Sequence, residues 1–251
     1  MVVRKGLLVG DSHAHPGYDN DRFWVAGRFA RNHEVDFVHS VGDWTDFPSL
    51  NKHKSMAEAR KGNYAADVCA GNSALQRFDD GLDDWNPTKT ITLGNHDKYP
   101  DRYVAEEDPS LEGTMSWRDI RFRKHGWRTY DYEELVKVRG LLCSHHFPSS
   151  PSSGRAQGGK YAAHHNIMKQ GNHCVSGHSH LFQHASLTYG DGRRIHGFVA
   201  GCMVHPKYKE GWCRSTVHTW DRGLLLIELD RGPKVVSFRW VTWDQVEREA
   251  A

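Results

Sequence analysis

Long hydrophobic runs are missing from this sequence. No stretch of about 18 apolar residues occurs, so no membrane-spanning helix is expected. The apolar run nearest the start, Gly6-Leu7-Leu8-Val9 behind Arg4 and Lys5, is too short for the hydrophobic part of a secretion signal. No small-residue cleavage site follows it, and a cytoplasmic chain is expected. Cysteine is scarce: Cys69, Cys143, Cys174, Cys202 and Cys213 are odd in number and show no CxxC spacing. That argues against a disulfide framework or a thiolate zinc site and leaves buried free thiols as the expectation. Charge of one sign is not in excess either. A net +2 is too small to argue for bulk nucleic-acid binding. Repeats and long low-complexity linkers are absent. What remains is 251 residues, 38% hydrophobic and 25% charged, the composition of a globular chain with a core.

Histidine is the residue in surplus, at 18. Histidine serves as metal ligand and as acid or base. Abundance also makes false motifs: about one His-x-His pair is expected by chance in such a composition. Position along the chain therefore has to separate ligands from scaffold.

In the first half, strand-like runs alternate with helical stretches. Residues 4–9, 36–43 and 88–94 read as strands. Residues 21–33 read as a helix with Asp19, Asn20 and Asp21 as capping candidates, and 52–82 as mostly helical with a break at Gly71-Asn72. This β/α rhythm predicts a mainly parallel sheet. The second half is strand-rich, at 141–146, 173–180, 181–190, 193–201, 223–229 and 234–243. Two sheets packed face to face with helices outside are expected. Residues 149–159 read as a loop, followed by a short helix over 160–170.

Polar clusters stand directly after the apolar strands. The first strand ends in Asp11, His13 and His15, the second in Asp43 and Asp46, and the third in Gly94-Asn95-His96-Asp97. Later strands end in His145-His146 and in Gly177-His178-Ser179-His180. In α/β sheets, ligands bind outside the carboxyl ends of the strands. Carboxylates and imidazoles suit Mn, Fe, Zn, Ni or Co, and there are more ligands than one ion needs. Two ions can share a carboxylate and clamp a phosphoryl group, activating a bridging water near neutral pH.

At these residues the chain resembles the calcineurin-like metallophosphoesterase superfamily. The pattern D-x-H, G-D-x-x-D, G-N-H-[D/E], His, G-H-x-H is met in order by Asp11 to His13, Gly42 to Asp46, Gly94 to Asp97, His145, and Gly177 to His180. The match spans 11–180. The resemblance implies one α/β domain over 1–251, a four-layer αββα sandwich with two mixed sheets. It implies two divalent metal ions, Mn2+ foremost. Asp11, His13 and His180 would hold one ion, Asn95, His145 and His178 the other, and Asp43 would bridge them. His96 would protonate the leaving oxygen, and Asp46 would orient His96.

Other readings compete residue by residue. Asp46 also suits a cap before a helical turn near residue 50. His15, in DSHAH, resembles the H-x-H strand end of amidohydrolase barrels, but a barrel needs about eight β/α units, and it is read as a rim residue. His146 is read as a neighbour of the site, and His164, His165 and His173 as scaffold or surface. WRDIRFRKHGWR (117–128) reads as a helix with a solvated basic face rather than a nucleic-acid groove. Arg155 and Lys160, after His145-His146, are candidates for meeting the substrate phosphate. The protein-phosphatase branch follows its second motif with Arg-Gly, whereas Phe47-Pro48-Ser49 follows Asp46 here. The expected substrate is a phosphodiester of a nucleotide or short nucleic acid, with Trp44, Phe47, Tyr99, Phe147 and Tyr161 available for base stacking. A phosphomonoesterase, a self-contained nuclease and a non-catalytic scaffold are the alternatives.

Overall fold

The structure, a computed structural model, describes residues 3–51, 62–150, 153–208, 219–230 and 234–251. Strand β1 (Arg4–Val9) sends Leu7 and Val9 to one face and Leu8 to the other, the period-two pattern of a strand buried on both sides. It is followed by α1 (Asp21–Asn32), β2 (Phe37–Ser40), α2 (Tyr64–Leu82), β3 (Thr88–Thr92), α3 (Tyr99–Glu106) and β4 (Trp127–Tyr130). Strands β1 to β4 lie parallel and in sequence order.

The chain then adds β5 (Val136–Val138), β6 (Leu141–Cys143), β7 (Pro148–Ser150), β8 (Ser153–Ala156), α4 (Ala162–Gln170), β9 (Cys174–Ser176), β10 (Phe182–Thr188) and β11 (Arg194–Ala200). A second mixed sheet has the order β10-β11-β9-β6-β5, with β11, β9 and β6 parallel. The chain returns to the first sheet with β12 (Gly223–Leu229) and β13 (Val235–Thr242), antiparallel on the free side of β1, and closes with α5 (Trp243–Ala250).

Three apolar layers define the sandwich. Leu8, Phe37, Val41, Cys143, Val175, Phe198, Leu225 and Ile227 fill the space between the sheets. Phe23, Phe29, Ala74, Phe78 and Val246 from α1, α2 and α5 cover the outer face of the first sheet together with Leu7 and Val9. Ile167 of α4 covers the outer face of the second against Leu142 and Cys174. The architecture is the four-layer αββα sandwich. No helix among the described residues is long and apolar enough to cross a membrane.

Four local expectations are corrected. Helix α2 runs unbroken through Gly71 and Asn72. A β-carbon on Gly71 would lie 2.4 Å from Thr45 Oγ1, and Asn72 donates to Val68 O and Asp119 O while its Oδ1 accepts from Arg121 N. The pair packs the helix against its neighbours instead of ending it. The part of that predicted helix over 52–61 lies outside the described residues. Residues 117–128 form two short 3-10 turns, Trp117–Asp119 and Phe122–His125, with Phe122 and Trp127 buried, not one helix. Of residues 149–159, expected as a loop, 149–150 and 153–156 pair as β7 with β8, and 151–152 lie outside the described residues. Asn20 is the N-cap of α1, but its side chain donates to Ala70 O rather than capping. Cys143, Cys174 and Cys202 are buried free thiols, Cys69 is exposed, and Cys213 lies outside the described residues.

Candidate metal centre

Parallel strands deliver their following loops to one end of a sheet. The loops after β1, β2 and β3 carry Asp11 and His13, Asp43 and Asp46, and Asn95 to Asp97; those after β6 and β9 carry His145, His178 and His180. Backbone bonds sew them together. Ser12 N and His13 N both donate to Asp43 O, at 3.0 and 2.8 Å, and Gly177 N donates to His145 O at 2.9 Å. The two sheets are joined at the same end by His178 N, which donates to both oxygens of Asp11 at 2.9 and 3.0 Å.

Two groups of donor atoms result. Asp11, His13 and His180 form the first, with His13 Nε2 and His180 Nε2 3.2 Å apart. Asp43, His145 and His178 form the second, and Asn95 Oδ1 lies 3.0 Å from both His145 Nε2 and His178 Nδ1. Asp43 Oδ2 stands between the groups, 3.4 Å from His145 Nε2 and 3.8 Å from His13 Nε2. A third group, His13, Asp46 and His96, is a hydrogen-bonded brace: Asp46 Oδ1 lies 3.0 Å from His13 Nδ1 and 3.0 Å from His96 Nδ1. Asp46 thus bonds to two imidazoles, and the turn at Pro48–Leu50 takes Phe47 as its cap residue instead.

The tautomers test whether these residues fit divalent ions. His145 Nδ1 donates to Val41 O at 2.8 Å, which leaves a lone pair on Nε2. That lone pair faces Asn95 Oδ1, an acceptor with no proton to offer, at 3.0 Å. Two acceptors at that distance repel unless a cation lies between them. Ligand bonds of about 2.0–2.2 Å place neighbouring ligand atoms about 3 Å apart, the spacing found here. His13 follows the same logic, with Nδ1 held by Asp46 and Nε2 turned to the first group. Burial pushes His145 down to about 3 and His180 well below the ordinary imidazole value, the neutral form that ligates, whereas His13, against burial and the neighbouring His96, is raised by its bond to Asp46 and the charges of Asp46 and Asp43. Burial and the neighbouring Asp43 carboxylate push Asp11 up to about 8. Asp43 itself is held low: burial opposes its charge, but His145, His96 and His13 outweigh burial. The donor set fits two cations sharing Asp43.

The backbone carries the same mark. Nine non-glycine residues among those described have φ in the left-handed region, and His13, Asp43, His178 and His180 are four of them. Each such residue costs on the order of 1 kcal/mol and persists where surrounding bonds over-determine it, as at functional sites. Close approach adds to this. A β-carbon on Gly94 would lie 2.0 Å from Asp43 Oδ1, and Gly42 itself has φ of +105°.

His96 stands beside both groups. Its backbone N–H donates to Asp43 Oδ1 at 2.9 Å. Burial disfavours its charge, yet Asp43 and the bond to Asp46 hold its pKa well above the usual imidazole value. Asp46 is held well below the carboxylate range, because its bonds to His13 and His96 outweigh burial. His15 Nε2 lies 3.8 Å from Asp46 Oδ2, at the rim. His146 is buried with its ring 5.5 Å from that of His178. His173 is largely buried and accepts from His196 N, while His164 and His165 are exposed.

The structure does not gather every candidate. Arg155 and Lys160 are exposed, and their segment is tied to α4 and β10 by Lys169 with Gln157 and by Gln183 with Gly159 O. Of the aromatic residues expected to stack bases, Trp44, Phe47 and Phe147 are core residues and unavailable to a ligand. Tyr161 is 60% exposed, and Tyr99 is half-buried.

Four supporting residues escaped the sequence reading. Asp97 accepts from Gly94 N, Thr45 N and Trp44 N at 2.9, 3.0 and 3.3 Å, tying the third loop to the second. Arg22, buried on α1, donates to Ser12 O, His13 O and Met203 O and so fixes the first loop. Tyr208 donates to Asp46 Oδ1 at 2.8 Å, and Trp220 packs edge-on to His180 at 4.2 Å between ring centres. Asp97 is the last residue of the Gly94-Asn95-His96-Asp97 motif, so the sequence does mark it. Arg22, Tyr208 and Trp220 carry no periodic or motif signal.

No protein-family model matches the chain, and no curated protein does. Among solved structures, the chain is similar to a metallophosphoesterase from Sphaerobacter thermophilus at 14% identity, with 98% of this chain and 94% of that one covered and a TM-score of 0.46.

Proposed function

We propose that this chain is a metal-dependent phosphoesterase of the calcineurin-like metallophosphoesterase superfamily, a single domain over 1–251. The observation that carries the reading is the pair of converging donor groups that share Asp43, with acceptor facing acceptor at Asn95 and His145. Asp11, His13 and His180 would hold one divalent ion, Asn95, His145 and His178 the other, and Asp43 both, with Mn2+ first among the candidates. Bound there, such ions supply Lewis-acid polarisation of phosphoryl oxygens and a water acidified toward neutral pH.

The chain's own residues do the rest. His96, kept protonated by Asp43 and Asp46, hands its proton from Nε2 to the leaving oxygen. Asp46 holds the imidazole by Nδ1 and is itself fixed by Tyr208. His15 lines the rim. The substrate we favour is a phosphodiester of a nucleotide or short nucleic acid.

The test is hydrolysis of bis-p-nitrophenyl phosphate against p-nitrophenyl phosphate by metal-stripped protein, with each divalent ion added back. We expect Mn2+-dependent diesterase activity, reduced roughly 10²–10⁴-fold by His96→Ala and abolished by Asn95→Ala. Preference for the monoester moves the substrate class to phosphatase. Silence with Mn2+, Ni2+, Co2+ and Zn2+ alike, despite two bound ions, turns the protein into a binding scaffold.

A further inference from the structure

Next to the second donor group lies a cavity of about 320 Å3 whose walls include Asn95, Tyr99, Arg102, Tyr103, Glu106 and Tyr132. Its connection to the centre is direct. Asn95 belongs to the donor group, and the Tyr132 ring stands 6.2 Å from that of His145. Tyr99 places its ring 4.6 Å from that of His96 and its hydroxyl 3.4 Å from His96 Nε2.

Helix α3 supplies most of the wall. Positions 99, 102, 103 and 106 fall on one helical face, where a packed helix normally carries aliphatic residues. Here that face is Tyr, Arg, Tyr, Glu, and Pro100 is the one buried residue of the helix. Tyr132 faces it from the segment after β4, with the Arg102 guanidinium 5.1 Å from its ring centre.

The chemistry of the wall selects an occupant. One guanidinium and one carboxylate leave the cavity near neutral, which does not suit a second phosphate. Three half-buried tyrosines offer aromatic faces together with hydroxyl donors and acceptors, the combination that takes a flat heteroaromatic ring. The volume sits at the low edge of the roughly 300–1,000 Å3 common for ligand sites. It is room for one nucleoside, not for a run of stacked bases.

We infer that this tyrosine-walled cavity receives the nucleobase of the substrate and sets its preference for nucleotides over simple phosphate esters. The inference rests on the phosphoesterase reading of the adjoining centre and names the substrate class for it.

Calorimetric titration of the Mn2+-loaded protein with adenosine 5′-monophosphate and with ribose 5-phosphate tests it, since the two carry the same phosphate and differ in the base. The nucleotide should bind roughly tenfold tighter. Tyr103→Ala should remove most of that advantage while leaving ribose 5-phosphate unchanged, and Tyr103→Phe should retain it. Equal affinities in the native protein, or an advantage intact in Tyr103→Ala, overturn the inference. Hydrolysis of bis-p-nitrophenyl phosphate by the same samples separates the two ideas. Activity without base preference removes the cavity's role alone, whereas base preference without activity supports the cavity and removes the catalytic reading.

Discussion

The two donor groups are built differently. Asp11, His13 and His180 are 0%, 1% and 5% exposed, whereas in the second group, apart from the shared Asp43, only His145 is fully buried, Asn95 is half-buried and His178 is exposed. The first group is backed by Asp46, Tyr208 and Trp220, with Arg22 gripping the loop beneath it. The second opens toward the tyrosine-walled cavity. Metal sites closed by their surroundings hold ions for structure and polarisation, and sites with an open side admit substrate. On the proposed function, the first ion is the resident one and the second is where the phosphoester arrives.

The largest effect should come from abolishing the distinction. Asp43→Ala removes the carboxylate both groups share, and several kcal/mol of charge stabilisation correspond to about a thousandfold or more in rate. Elemental analysis should then find at most one ion per chain; two ions retained at full occupancy would contradict the bridging role. A smaller change should affect one side only. Tyr208→Phe deletes the donor to Asp46, and such outer partners alter metal affinity about 10–100-fold. Chelator competition should show the tighter ion weakened and the weaker one untouched; equal weakening of both would erase the asymmetry.

The mildest test separates the centre from the sheet beneath it. His39 on β2 is buried, and burial pushes its pKa down to about 3. Thr90 donates to Val38 O and so accepts from His39 Nδ1, while Thr92 meets Nε2, a set that satisfies a neutral ring. The folded pKa lies below the unfolded value near 6.5, so the unfolded chain takes up the proton first. Stability is complete above about pH 6.5 and falls as pH drops toward 3, by about 1.4 kcal/mol per unit. Denaturant midpoints of metal-free protein between pH 7 and 4 should carry that slope together with slope of the same sign from His145 and His180 and of the opposite sign from Asp11, and His39→Leu should lessen the stability lost on acidification by about 1.4 kcal/mol per unit.

Much of this was legible in the sequence because strand ends are. An apolar run followed by Asp, His or Asn marks both an element and its delivery point, and Asp11, Asp43, Asn95, His145 and His178 all lie where that rule puts them. What stayed hidden depends on contacts between distant segments. Nothing near Tyr208 announces that its hydroxyl reaches Asp46, 162 positions away. Gly71-Asn72 reads locally as a helix stop, and tertiary packing overrides it. Trp44 and Phe47 look available beside the motif because burial is a property of the whole sandwich. The tyrosine face of α3 escaped notice because only the folded helix aligns Tyr99 with Tyr103 and brings Tyr132 opposite.

The three backbone bonds to Asp97 have one more consequence. They lock the turn bearing Asn95 to the loop bearing Asp43, so the spacing of the backbones that carry these two side chains is fixed by main chain. A frame of that kind works as a gauge of ionic radius. On the proposed function, ions too large for that frame would strain the peptide scaffold and those too small would leave one ligand out of reach, so Asp97, which is not among the proposed ligands, would bias the choice among divalent ions.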